Sequence, residues 1–153
     1  MTEADTHIVR VTLQGEPTIY REIEVGSRKT LSNLAEAIVH AFGFEFDHAF
    51  GFYSKLTGQD VMRSQPKYEL FADMGERTEA KSVRKTRVAD AFPDVGHKML
   101  FMFDYGDDWR FVVEVIGLGQ KIAKARYPKV LKKVGKAPEQ YGDWDDEDEG
   151  DEL

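Results

Sequence analysis

Lys98-Met-Leu-Phe-Met-Phe-Asp-Tyr-Gly-Asp-Asp-Trp-Arg-Phe-Val-Val-Glu-Val115 is the stretch from which the fold is read. Met99, Phe101, Phe103 and Tyr105 alternate with Leu100, Met102 and Asp104. Beyond Gly106 and Asp107, Trp109, Phe111, Val113 and Val115 alternate with Arg110, Val112 and Glu114. Period-two alternation of β-branched and aromatic residues on both sides of a Gly-Asp turn predicts a β-hairpin. Its tip carries Asp104, Asp107, Asp108 and Trp109.

Toward the N-terminus, His7–Gln14 alternates as a strand, Gly15-Glu-Pro17 turns the chain, and Thr18–Val25 alternates again. In this second strand Arg21 shares the face of Ile19, Ile23 and Val25. Thr30 then serves as an N-cap, and Leu31, Leu34, Ala35, Ile38, Val39 and Phe42 form one apolar helical stripe before Gly43. The spacing predicts a ββα start, with the helix packed on a sheet. His48–Ser54 reads as a third strand, Lys67–Phe71 as a short fourth, and Met74–Arg87 as a long exposed loop. Val88–Phe92 reads as one helical turn ended by Pro93. The fold class is α+β: an antiparallel-rich mixed sheet with one main helix.

A chain of 153 residues, 41% hydrophobic, can bury a core as one domain, expected over residues 1–142. The absence of cysteine rules out disulfides, thiolate metal sites and a cysteine nucleophile, and suits a reducing cytoplasm. Met1–Thr6 is acidic and does not read as a signal peptide, and no segment has the length of an apolar membrane span.

The net charge of −7 is unevenly placed. Asp143–Leu153 holds eight acids and no base, leaving 20 of the 28 acids against 21 bases in the rest of the chain. Such a tail has little apolar surface to bury and is expected to be disordered. It follows a basic segment, residues 117–136, with Lys121, Lys124, Arg126, Lys129, Lys132, Lys133 and Lys136 and no acid.

Four pieces of the chain resemble a family of uncharacterised proteins named after the third open reading frame of a root-inducing (Ri) plasmid. They are the opening strand pair (Val9–Leu13 with Tyr20–Val25), Thr30–Phe44 leading to His48, Phe103-Asp-Tyr-Gly-Asp-Asp-Trp-Arg110, and Ala137-Pro-Glu-Gln-Tyr-Gly142. The third is close to the family's Tyr-Asp-Phe-Gly-Asp-x-Trp run. The fourth lacks the second proline and the acid of the family's Pro-Pro-Glu-Asp-x-Gly-Gly segment. The resemblance implies a compact α+β domain with a ββα start and no established activity.

Asp104, Asp107 and Asp108 with His48 are the candidate functional cluster. Hard oxygen ligands of this kind suit Mg²⁺ or Mn²⁺ and phosphoester hydrolysis. The commoner role of turn aspartates is to bond their own backbone. Tyr105 and Trp109 are candidates for stacking on a base or aromatic ligand, against the commoner role of strand aromatics in packing. No nucleophile elbow, Walker loop or dinucleotide fingerprint occurs in the sequence. The basic segment is a candidate polyanion site, or else an amphipathic stretch docked by Val130, Leu131 and Val134. The adjacent acidic tail suggests masking of that segment, or simply solubility. These features favour a non-enzymatic cytoplasmic module that binds a protein or nucleic acid, with metal-dependent phosphoester hydrolysis as the alternative. No cofactor is called for beyond the divalent metal of that alternative.

Overall fold

The computed structural model describes residues 4–141; the acidic tail lies outside the described residues. The elements are β1 (Thr6–Leu13), β2 (Tyr20–Gly26), α1 (Leu31–Ala41), β3 (Phe50–Tyr53), β4 (Lys67–Glu69), β5 (Lys81–Ser82), α2 (Val88–Ala91), β6 (Lys98–Phe103), β7 (Trp109–Gly119) and β8 (Lys129–Val134). The strands form one sheet in the order β5-β4-β3-β6-β7-β1-β2-β8. Every pairing is antiparallel except β4 with β5.

The β6–β7 hairpin lies at the centre, with Phe101 opposite Phe111. Met99, Phe101, Phe103, Phe111, Val113 and Val115 belong to the main core, together with the α1 stripe Leu31, Leu34, Ala35, Ile38 and Val39. Phenylalanine rings interlock there: Phe42 lies 4.8 Å from Phe111, and Phe52 lies 4.9 Å from Phe101. Burial of such large apolar side chains is the main driving force of the fold. The opposite face of β6 is also covered. Leu100 and Met102 pack with Tyr53 and Val61, beneath Leu56.

Helix α1 begins with a capping box in which Thr30 and Asn33 exchange hydrogen bonds. Its first amides also find partners elsewhere: Leu31 N donates to Thr86 O, and Ser32 N to Val83 O. Gly43 follows the helix with φ of 79°, a conformation glycine adopts without steric cost.

Three expectations are corrected. Met74–Arg87 is not simply an exposed loop: Val83 is fully buried, and Lys81–Ser82 forms β5 against β4. Asp73 ties this segment down by accepting from Ser82 Oγ and from Val83 N. Tyr105 does not continue the face of Phe103. Asp104 has φ of 63°, which breaks the alternation and sends Tyr105 to the other side, beside Tyr53 and Phe71. Of Val130, Leu131 and Val134, expected to dock the basic segment, Val130 and Leu131 are 41% and 45% exposed and Val134 is half-buried. The second part of the segment is the edge strand β8, held by backbone pairing to β2, with a bulge between the partners of Glu22 and Ile23.

Arg21 secures this edge. It is buried on the core face of β2, where Nε donates to Ala41 O at the end of α1. Nη1 donates to Val134 O and Gly135 O at the end of β8. Its guanidinium also lies over the Phe42 ring, 4.8 Å from the centroid.

Candidate functional site

Two places bring chemistry-bearing side chains together. The first lies beside the hairpin tip. Phe50 pairs with Phe103, so the residues entering β3 meet those leaving β6, and Asp104 N donates to Ala49 O. His48 is thereby set beside Asp104, with Nε2 3.3 Å from Oδ2 and 3.5 Å from Asp47 Oδ1. Gln140 and Tyr141 complete the group from the far end of the chain. The Tyr141 hydroxyl donates to Asp47 Oδ2 at 2.5 Å and lies 3.1 Å from His48 Nε2. That bond to a carboxylate pushes the Tyr141 phenol up to about 12. Gln140 Nε2 donates to Glu45 O, and Gln140 Oε1 accepts from Glu45 N.

This group joins three chain segments through mutually satisfied polar atoms. Asp107 and Asp108 do not enter it. Asp107 N donates to Asp104 Oδ1, closing the turn, and Asp108 pairs with Arg110 Nε at 2.9 Å. Among the described residues no group of three or more His, Asp or Glu side chains is arranged to hold a metal ion. Of the three hairpin-tip aspartates, Asp104 accepts the turn bond and faces His48, and Asp108 pairs with Arg110.

Tyr105 and Trp109 do not form one platform. Trp109 packs edge-on against Phe44 at 4.9 Å, on the main core. Tyr105 lies with the smaller core, where its hydroxyl is 2.8 Å from that of Tyr53. The indole N–H of Trp109 is buried without a hydrogen-bond partner among the described residues.

The second place is a cleft beside α1. Its wall on one side is α1, with Asn33, Glu36, Ala37 and His40. On the other side are Tyr127, Pro128, Val130 and Lys133. Lys29 continues it into a cavity of about 290 Å³ bounded by Arg28, Lys121, Asp5 and Gly26. Along β2 the lining runs through Gly26, Val25 and Ile23, roughly 10 Å at about 3.3 Å per residue.

The seven predicted bases do not share one surface. Lys121 and Lys133 line the cleft. Lys129 lies 3.8 Å from Glu24 and over the Tyr127 ring, and Lys132 lies over Tyr20. Lys124, Arg126 and Lys136 are exposed. Sequence reasoning missed Arg28 and Lys29, whose signal is a pair of adjacent bases just before the Thr30 cap. Among the described residues, Arg28, Lys29, Lys121 and Lys133 are in no ion pair.

The sheet, its one main covering helix and the basic edge define a sheet-rich α+β fold. The chain belongs to the plasmid pRiA4b ORF-3-like protein family, whose model matches residues 5–146. It is similar in fold to a crystal structure of a protein of unknown function from Methanosarcina mazei, with a TM-score of 0.74 and 23% identity over 99% of this chain and 83% of that one. No curated protein matches. Among the described residues no helix is long and apolar enough to cross a membrane.

Proposed function

We propose that this protein is a non-enzymatic interaction module of the cytoplasm that holds a nucleic-acid strand along the cleft beside α1. In this reading the acidic tail, residues 143–153, masks the basic surface until the partner displaces it. One observation carries the proposal: Arg28, Lys29, Lys121 and Lys133, brought from three parts of the chain, line adjoining pockets beside α1 and are in no ion pair among the described residues, against two carboxylates, Asp5 and Glu36, in the same lining. Cations displayed this way neutralise phosphates and release counterions, which gives affinity without base readout. Tyr127 lines the same surface, with the Lys129 ammonium 5.1 Å from its ring centroid. An aromatic ring among cations suits a nucleic acid better than an acidic protein segment, which would meet the same cations.

The test is fluorescence anisotropy with a labelled single-stranded oligonucleotide. Lys133→Gln should weaken binding and reduce the slope of log affinity against log salt by about 0.7, the value for one phosphate contact on a single strand. Lys98→Gln, outside the cleft, should leave both unchanged. Equal behaviour of the two variants sinks the proposal.

A further inference from the structure

The geometry points to a phosphate-monoester site at one end of the cleft, where Arg28, Lys29 and Lys121 surround Gly26. This inference rests on the reading of the cleft as a polyanion surface, and it names the group that the end of the cleft selects.

The site is built on a fixed frame. Asp5 N donates to Gly119 O at the end of β7, and Ser27 N donates to Asp5 O at 2.8 Å. The Asp5 carboxylate accepts from Lys121 N at 3.1 Å. Asp5 thus staples the turn that carries Arg28 and Lys29 to the segment that carries Lys121. The next stretch of chain is held too, since Lys29 N donates to Gly26 O and Val88 N donates to Lys29 O. The backbones bearing the cations are set before any ligand arrives, which limits the ordering cost of binding.

Gly26 lies beside two of the cations. A β-carbon at this position would lie 3.2 Å from Lys29 Cγ and 3.7 Å from Lys121 Nζ, so the Lys121 ammonium sits over the strand, beside Lys29. The cavity measures about 290 Å³.

Charge decides which anion fits. Arg28, Lys29 and Lys121 share the cavity lining with one carboxylate, Asp5, a formal excess of two positive charges. A phosphate monoester carries about −1.5 to −2 near neutral pH. It matches that excess better than the single charge of an internal phosphodiester. Arg28 supplies a planar fork for two phosphate oxygens, and the lysines supply point charges. The terminal phosphate group can be the monoester at the phosphorylated end of a strand lying in the cleft or free inorganic phosphate; the two share its charge and its oxygens.

Two arms separate them, both with the full chain. In the first, inorganic phosphate is titrated at constant ionic strength against a chloride control while backbone amide resonances are followed by NMR. The expected result is saturable movement of the Arg28, Lys29 and Lys121 amides, lost in the Arg28→Gln/Lys121→Gln variant. In the second, oligonucleotides with a 5′-phosphate or a 5′-hydroxyl are compared by anisotropy. About tenfold tighter binding of the phosphorylated strand, abolished in the same variant, assigns the site to a strand end. Phosphate saturation with equal binding of both strands supports the site and assigns it to free phosphate. Phosphate saturation with no binding of either strand supports the site and removes the nucleic-acid reading. Amides that respond equally to phosphate and chloride, with no preference for the phosphorylated strand, overturn the inference.

Discussion

The carboxylate of Asp104 lies 3.3 Å from Nε2 of His48, and Asp104 holds this position from a left-handed backbone conformation with φ of 63°. Left-handed geometry is disfavoured for residues with a β-carbon, and least so for Asp, Asn and Gly. Asp104→Ala should therefore lose about 2 kcal/mol in urea unfolding, combining backbone strain with a lost turn acceptor. Asp104→Asn, which keeps a side-chain acceptor, should lose less than half of that. Equal losses would mean that the charge toward His48, rather than backbone and turn, is what the position requires.

Trp109 carries a buried indole N–H with no partner among the described residues. A buried donor left unpaired costs about 1–3 kcal/mol. Trp109→Phe keeps an aromatic ring against Phe44 and removes that donor, so its unfolding free energy should stay within about 1 kcal/mol of the parent. Trp109→Ala should lose about 3–5 kcal/mol. A large loss in the phenylalanine variant would show that the indole nitrogen is engaged.

Gly51 in β3 faces the paired phenols of Tyr53 and Tyr105. A β-carbon there would come within 2.7 Å of the Tyr105 hydroxyl and 2.8 Å of the Tyr53 hydroxyl. Tyr53 is buried and Tyr105 half-buried, and desolvation pushes the ionisation of both well above the ordinary tyrosine range. Tyr53 also donates to the buried Glu69 carboxylate, which accepts in addition from Thr78. Gly51→Ala should cost about 1–3 kcal/mol through overpacking. Thermal unfolding should show the loss, and Tyr105→Phe in the same background should recover part of it by removing one crowded hydroxyl.

His7 contributes to the loss of stability toward acid. Its ring is buried, with Nε2–H donating to Phe92 O and Nδ1 accepting from Ser27 Oγ. Burial holds its pKa below the ordinary 6.5. Below pH 6.5 the unfolded chain takes up a proton that the folded chain refuses, so stability falls as pH drops from 6.5 toward the lowered folded value and is fully present above 6.5. Urea midpoints measured across this window should decline toward acid in the parent. The decline should be shallower in His7→Gln. Parallel declines would place the titrating group elsewhere.

The hairpin and α1 were readable because strong alternation and a continuous helical stripe both end at good turn or cap residues. Other features depend on contacts that sequence periodicity does not express. Tyr105 changes face because of one left-handed residue. β8 is an edge strand whose Val130 and Leu131 both remain exposed, so it shows no buried alternation to read. Val83 is buried because Asp73 and the first turn of α1 anchor its backbone. His48 and Asp104 could be nominated separately, but their meeting depends on the β3–β6 pairing. Asp107 and Asp108, adjacent to Asp104 in sequence, diverge from it once the turn closes. The cleft was half visible: its bases beyond β7 form an obvious run, whereas Arg28 and Lys29 join them only through the strand order β7-β1-β2.

The most direct measurement is the affinity of a labelled single-stranded oligonucleotide across a salt series, for the full chain and for a chain ending at Gly142. The expected result is tighter binding by the shortened chain, with affinity falling steeply as salt rises and the gap between the two forms closing as the tail's own attraction is screened. Absence of binding by both forms at low salt would contradict the assignment of the α1 cleft as a nucleic-acid surface.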